Sequence, residues 1–251
     1  GLSVAVIGRQ AKTHVISGGG GSGAVVPPHV ATPTDALAEA LAAAGGSLVY
    51  VEKDPTDAAA AARAADVALV FLGTTSAEGT DRPTLGLGDD QDGLVTAVAA
   101  AARRLVVCVT APGPVLLPWA AHPNVSAVVL QIMPGQEIGG AIADVLLGQQ
   151  LAGGRLPFTL PNRDNELAFT PSEYPGVDGH STYSEGLLVG YRWYNAHRVT
   201  PAYPFGHGLS PGAAFEYSGL NVSTAGAAGN ATLRFAVANT GKRAGYAVAQ
   251  A

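Results

Sequence analysis

Cysteine is almost absent from this 251-residue chain, which contains only Cys108. A single thiol excludes an internal disulfide framework and a metal site with several thiolate ligands. Because Cys108 stands inside the apolar segment LVVCVT, we interpret it as a small buried hydrophobic residue.

Charge is also scarce, since 13% of the residues are charged and the formal net charge is -5. The Lys and Arg residues stand singly and form no basic patch, so we predict no nucleic-acid partner. The apolar regions are interrupted by Asp66, Arg103 and Arg104 and never reach the roughly 18 residues that a membrane-spanning helix requires. We therefore expect a soluble protein with no membrane partner.

Two kinds of catalytic motif are missing as well. The six histidines show no metal-ligand spacing such as H-E-x-x-H, and no G-x-S-x-G segment occurs. The first absence leads us to predict no metal and no other cofactor. The second argues against a serine hydrolase.

Hydrophobic residues, by contrast, make up 47% of the chain, enough for a sizeable core. Short apolar runs without polar alternation alternate with Ala-rich helical patterns, as in parallel sheets covered on both faces. We predict an α/β fold, a mostly parallel sheet with helices on both faces, that is, an α/β/α sandwich. The predicted strands are 3–8, 47–52, 66–73, 104–110 and 126–131, and the predicted helices are 33–44, 55–65, 90–102 and 135–147.

The amino-acid composition and the predicted secondary structure change after residue 148. Loops and short strands are predicted over the Pro-rich and aromatic-rich segments 153–161, 183–194 and 201–210. From Phe215 onward apolar and polar residues alternate at period two around a turn at 239–241, which indicates the start of an all-β sandwich. We therefore divide the chain into domains 1–212 and 213–251.

In open parallel sheets, ligands bind beyond the carboxyl ends of the strands. The loop after the first strand contains GGGGSG (18–23). A dinucleotide site would require this motif to follow the strand directly and to open a helix, whereas Val25-Val26-Pro27-Pro28 follows here. The remaining interpretations are a flexible surface loop and a loop that places backbone N–H groups near a ligand.

The loop after strand 66–73 carries Glu78, Asp81 and Arg82. Glu78 and Arg82, four residues apart, are either a solvated ion pair or part of a site. Asp89 and Asp90, further along, are interpreted as negative charges at a helix start.

A third loop, TAPGP (110–114), leads into a predicted short helix that contains Trp119. Trp119 and Trp193 either stack on a sugar face or pack in the core, and packing is the commoner use of tryptophan.

Taken together, these segments resemble the C-terminal α/β-sandwich domain of glycoside hydrolase family 3 over residues 1–212. The tail from Phe215 resembles the start of the fibronectin type III-like domain that often follows in that family. The matching pieces stand in the family's order: VAVIG, GGGGSG, DVALVFLG, EGTDRPTLGL with Gln91 and Leu94 following, PVLLPW, PGQEIGGAIADVLLG, GGRLPFTLP, YSEGLLVGYRWY and PFGHGLS.

The resemblance implies a retaining, exo-acting β-glucosidase that removes terminal β-linked glucose or a similar sugar from a glucoside or oligosaccharide. It also implies that the nucleophile is an Asp on a preceding (β/α)8 barrel, outside this chain. The acid/base role falls to Glu78, the only glutamate of the matching loop, while Asp81 and Arg82 fix the loop or bind the sugar. The fragment alone is expected to be inactive.

Two departures from the family pattern keep a second hypothesis open. LGLGDDQ stands in place of the common L-x-L-P-G-x-Q, and LSPGAAF in place of L-S-Y-x-x-F. Neither removes a catalytic group, but both fit a carbohydrate-binding or structural module that has lost catalysis.

Three N-x-S/T sequons, headed by Asn124, Asn221 and Asn230, bear on the compartment. Such sequons are glycosylation acceptors in secreted proteins. Together with the resemblance, they lead us to expect a secreted glycoprotein.

Overall fold

The computed structural model describes residues 1–225 and 230–249. Its main body is a five-stranded parallel sheet with four flanking helices, and each lies where the sequence predicts it. The strands are β1 (Ser3–Ile7), β2 (Ser47–Val51), β3 (Val67–Gly73), β4 (Leu105–Thr110) and β5 (Val125–Gln131), and the helices are α1 (Pro33–Ala43), α2 (Pro55–Ala64), α3 (Gln91–Ala101) and α4 (Ile138–Leu146).

The strand order in the sheet is β2-β1-β3-β4-β5, with every pair parallel. After β1 the chain adds β2 on one side, and β3 then returns to the other side of β1. The order reverses between β1 and β3, and in open α/β sheets such a switch point opens a crevice at the carboxyl ends of the strands. The loops that follow β1 and β3 meet there.

Each face of the sheet packs on two helices. On one face Ala5, Val70 and Val107 belong to a buried cluster with residues of α2 and α3. On the other face Val6 and Phe71 pack with residues of α1 and α4. The predicted α/β/α sandwich is confirmed. Within the described ranges, no helix is long and apolar enough to cross a membrane.

The starts of α1 and α2 show why these segments become helices. Thr32 accepts a hydrogen bond from the N–H of Asp35 through its hydroxyl (3.1 Å), and the Asp54 carboxylate accepts two from the first turn of α2 (2.9 Å each). Pro33 and Pro55 occupy the first helical position, where no N–H is needed.

Cys108 lies in the core, 1% exposed, as predicted. Burial in apolar surroundings raises the pKa of its thiol to about 12. It is therefore a packing residue and not a reactive thiol.

The short strands predicted between residues 153 and 210 are wrong. The structure has two isolated bridges there, Leu160 with Tyr203 and Val177 with His180, and a helix, α5 (Tyr191–His197). Gly186 and Gly190 take positive φ angles of 57° and 58°, so the aromatic-rich segment folds into successive turns instead of an extended strand.

The tail contains an antiparallel pair, β6 (Phe215–Ala225) and β7 (Asn230–Asn239). The strands that the period-two alternation predicts in these two segments are confirmed, and Asn239 accepts a hydrogen bond from Gly241 N–H at the predicted turn (3.0 Å). Residues 243–249 form no strand, and the predicted alternation beyond 249 lies outside the described residues. The domain boundary at 212/213 and the completed β-sandwich stay predictions.

Candidate active site

Three loops, which follow β1, β3 and β5, converge at the carboxyl edge of the sheet. The N–H of Gly20, after β1, donates to the carbonyl of Ser76, after β3, at 3.1 Å. The N–H of Gly135, after β5, donates to the carbonyl of Ser17 at 2.8 Å. Together the loops line a cleft of about 740 Å³ that has Glu78 in its wall.

Glu78 is exposed on the loop after β3, as predicted. Its Oε2 accepts a hydrogen bond from the backbone N–H of Ser22 at 2.8 Å. The Ser22 side chain and this N–H lower the pKa of Glu78 below its usual value. In this chain by itself the carboxyl group is therefore ionised at neutral pH.

The glycines of residues 18–23 allow the first loop to approach the loop that carries Glu78. A Cβ added to Gly20 would lie 2.8 Å from the Cβ of Ala77. Gly21 has a φ of 80°, and a Cβ there would overlap the Cβ of Glu78. GGGGSG opens no α-helix, since α1 begins only at Pro33. The described contact of its N–H groups is with the Glu78 loop, so the motif fits a support for that loop better than a nucleotide site.

Asp81 and Arg82 make separate contacts, and Arg82 forms no ion pair with Glu78 or with Asp81 among the described residues. Tyr174 donates its hydroxyl hydrogen to Asp81 at 2.9 Å. Arg82 donates from Nη2 to the carbonyl of Pro114 at 2.8 Å. Asp81, Arg82 and Tyr174 line a smaller cleft of about 310 Å³ that shares Ser76 and Ala77 with the first.

The Arg82 guanidinium is half-buried, and burial lowers its pKa while nearby Asp164 raises it. Its Nη1 is buried without a hydrogen-bond partner among the described residues.

Gln91 hydrogen-bonds both ends of the loop that carries Glu78. From the first position of α3, its Oε1 accepts from Gly73 N–H (2.8 Å), and its Nε2 donates to the carbonyls of Gly73 (3.0 Å) and Leu87 (2.8 Å). Gly73 is the last residue of β3. A single buried side chain thus ties together the two ends of the segment that presents Glu78.

Asp89 and Asp90 lie just before α3, as predicted, with φ angles of 50° and 53°. The Asp90 side chain makes no capping hydrogen bond. Asp is among the few non-glycine residues that tolerate the left-handed conformation, so Asp89 can stand where the family pattern has glycine.

Trp119 packs in the core, 6% exposed, and its indole N–H donates to the Asp92 carboxylate at 2.7 Å. It is not a sugar-stacking surface. The helix predicted around it is wrong: single turns close from Ala120 N–H to Leu117 O and from His122 N–H to Trp119 O, and Pro118 has no N–H to continue a helix. Trp193 is half-buried on α5 and stacks on His197.

Sequence reasoning missed Ser22, Tyr174 and Gln91 as members of the site. Ser22 and Tyr174 reach the loop across 56 and 93 residues of chain, and no local pattern indicates such contacts. Gln91 did carry a signal, because it is a lone polar residue on the helix face that also carries Leu94, Val95 and Val98.

The family model described as the Glycosyl hydrolase family 3 C-terminal domain matches residues 1–210. Thermostable beta-glucosidase B of Acetivibrio thermocellus is 36% identical over 271 residues, which cover 99% of this chain and 34% of that protein. An exo-alpha-(1->6)-L-arabinopyranosidase of Bifidobacterium longum is 39% identical over 251 residues, covering 94% and 32%.

Among solved structures, DesR, a beta-glucosidase from Streptomyces venezuelae in complex with D-glucose, superimposes with a TM-score of 0.89 at 26% identity. The match covers 96% of this chain and 45% of that chain. The present chain spans about a third of the length of the curated relatives named above.

Proposed function

This chain belongs to the glycosyl hydrolase family 3 C-terminal domain family, and from that premise we propose that it supplies the acid/base residue, Glu78, of a retaining exo-acting β-glucosidase. The observation that carries the proposal is the placement of Glu78. It is an exposed carboxylate at the sheet's switch point, in the wall of the cleft of about 740 Å³, and it is held by a backbone N–H. The named relatives with β-glucosidase activity support the substrate class.

Retaining hydrolysis uses two carboxyl groups roughly 5 to 5.5 Å apart. One attacks the anomeric carbon while the other protonates the departing glycosidic oxygen. The second group then removes a proton from a water molecule, whose oxygen attacks the anomeric carbon and breaks its bond to the first carboxyl group. The first group is released as a carboxylate and the second regains its proton. Glu78 takes the second role, and a (β/α)8 barrel in the rest of the protein provides the first.

The lowered pKa of Glu78 fits a division of the site between two domains. An acid catalyst must hold its proton at the working pH, which the Ser22 contact disfavours. A second carboxylate nearby and the exclusion of water both raise the pKa of a carboxyl group. Docking of the barrel brings the second carboxylate close to Glu78 and excludes water. Glu78 therefore becomes an acid only in the assembled site.

The segment before α5 offers a surface for that barrel. Tyr183, Leu187 and Val189 are 78%, 82% and 60% exposed. Adjacent large apolar side chains in water mark an interaction surface. Because the chain spans about a third of its relatives, we assign the remaining part of the same protein as the partner.

This assignment predicts that Leu187→Glu changes the free energy of unfolding differently in the isolated chain and in the full-length protein. In the isolated chain we expect the free energy of unfolding to change by less than about 0.5 kcal/mol, because the side chain is exposed. In the full-length protein the same change should cost about 2–3 kcal/mol, since it buries a charge at an apolar contact. Urea unfolding of both proteins measures the difference. The control is Val49→Glu on the edge strand β2, 47% exposed, and an equal effect of Leu187→Glu in the two proteins would argue against this surface.

Sugar specificity is broader in this family than glucose alone, as the arabinopyranosidase relative indicates. We propose terminal β-linked glucose or a closely similar sugar for this chain, with Asp81 and Arg82 contacting the substrate from the smaller cleft.

Secretion is part of the same proposal. Asn221 and Asn230 are exposed on β6 and β7 and are accessible to a glycan. Asn124 is half-buried and donates its side-chain N–H to the carbonyl of Ala99 at 2.8 Å. We therefore place any glycan at Asn221 or Asn230.

The function is tested by following the anomeric form of the released sugar. The full-length protein should hydrolyse an aryl β-glucoside and release β-glucose first, seen by proton NMR before mutarotation, whereas the 251-residue chain alone should release none. First release of α-glucose would contradict the retaining mechanism. Binding of glucose without hydrolysis by the full-length protein would favour the non-catalytic carbohydrate-binding module instead.

A further inference from the structure

One described backbone donor reaches the Glu78 carboxylate, the N–H of Ser22 at 2.8 Å. Ser22 is the middle residue of a 3-10 turn, Gly21–Gly23, closed by the N–H of Ala24 on the carbonyl of Gly21 at 3.0 Å. The turn is fixed to the Glu78 loop by the Gly20 to Ser76 hydrogen bond. The donor is therefore placed by backbone geometry, in a loop whose glycines permit the close approach.

We propose that Ser22 is a positioning residue for Glu78, which fixes the orientation of the carboxyl group and sets the upper end of the pH range in which it works as an acid. The inference rests on the proposed acid/base role of Glu78. It adds a function for the glycine-rich loop, which supplies a hydrogen bond to the acid/base residue.

Few other titratable groups face this carboxylate from the loops packed around it. Asp81, on the same loop, is paired with the hydroxyl of Tyr174. Across the cleft, Glu137 is paired with His29 at 3.0 Å. None of these four side chains hydrogen-bonds Glu78 among the described residues. Loss of the Ser22 contact is therefore expected to change the pKa of Glu78.

The direction of the effect follows from the charge state that Ser22 contacts. Hydrogen bonds to an ionised carboxylate favour that form and lower its pKa, so their loss raises the pKa. The alkaline limb of the kcat/KM profile reports the acid of the free enzyme, because that group must be protonated. Losing the Ser22 contacts should move this limb to higher pH.

Two substitutions in the full-length protein separate the contacts. Ser22→Ala removes the hydroxyl and keeps the N–H, while Ser22→Pro removes both. We expect the alkaline limb to move up in Ser22→Ala and further up in Ser22→Pro. With poor leaving groups, kcat/KM on the plateau should fall roughly tenfold in Ser22→Pro, as expected when one charge-assisted hydrogen bond is lost. Dinitrophenyl β-glucoside, whose leaving group needs no proton, should be nearly unaffected.

The control is Ser126→Ala, an exposed serine on β5 away from the cleft, which should leave the profile unchanged. An unmoved alkaline limb in a folded Ser22→Pro variant would overturn the inference. So would an unmoved limb in Ser22→Ala if the proline variant does not fold, or an equal loss on every substrate.

Glu78→Ala separates this inference from the proposed function. If the alkaline limb persists in Glu78→Ala, Glu78 is not the acid and the proposed function fails. If the limb disappears in Glu78→Ala but is unmoved by the Ser22 substitutions, only the role of Ser22 fails.

Discussion

Glu78→Ala in the full-length protein is expected to lower kcat/KM by about 10²–10⁴-fold for glucosides with poor leaving groups. These substrates need a proton on the departing oxygen, and the substitution removes the group proposed to deliver it. Dinitrophenyl β-glucoside should lose far less in the first step. The measurement is a series of aryl β-glucosides that differ in leaving-group pKa, with kcat/KM plotted against that pKa; the slope should be steeper in the variant.

Glu39→Ala is the matched control, because Glu39 is an exposed glutamate on α1, and it should leave all rates unchanged. Asp81→Ala tests the other carboxylate of the loop. If Asp81→Ala steepens the plot and Glu78→Ala lowers every rate by the same factor, the acid/base role belongs to Asp81.

Gln91→Leu is expected to destabilise the chain by about 2–4 kcal/mol, because each buried polar group left without a partner costs about 1–3 kcal/mol. The leucine fills the volume but leaves the N–H and carbonyl of Gly73 and the carbonyl of Leu87 without the hydrogen bonds that Gln91 makes. In the full-length protein kcat should fall as well, since the two ends of the Glu78 loop are no longer tied together.

Urea unfolding measures the first effect. With a slope of about 1–3 kcal/mol per molar urea, the midpoint should fall by about 0.7–4 M. Gln149→Leu, at an exposed glutamine after α4, is the control and should shift the midpoint little. A Gln91→Leu protein with the wild-type midpoint would show that the loop does not depend on this side chain.

The sheet and its helices were predictable because several local signals agree. The run from Val67 to Gly73 has no polar alternation, as a strand buried on both faces requires. Thr32-Pro33 and Asp54-Pro55 combine a cap with a proline at the first helical position. In the segment 183–194 the local signals conflict, because its aromatic residues favour a strand whereas Gly186 and Gly190 favour turns. Both glycines take positive φ angles, and no strand forms there.

The site was predictable only in part. The position of Glu78 follows from the strand before it, because the carboxyl ends of parallel strands share one edge of the sheet. Its contact with Ser22 depends on the strand order, which places β1 beside β3, and a single sequence does not carry that order. The nucleophile lies outside this chain in the proposed function, so no pattern within it bears on that group.

The most direct measurement of the central claim is the product that full-length Glu78→Ala forms from dinitrophenyl β-glucoside in the presence of azide. The activated leaving group departs without acid assistance, so the glycosyl–enzyme intermediate should still form. Azide, which needs no general base, should then attack it and give β-glucosyl azide, identified by NMR, with the rate restored. Glucose alone, with no rescue by azide, would contradict the assignment of Glu78 as acid/base. The α-azide would instead identify Glu78 as the nucleophile.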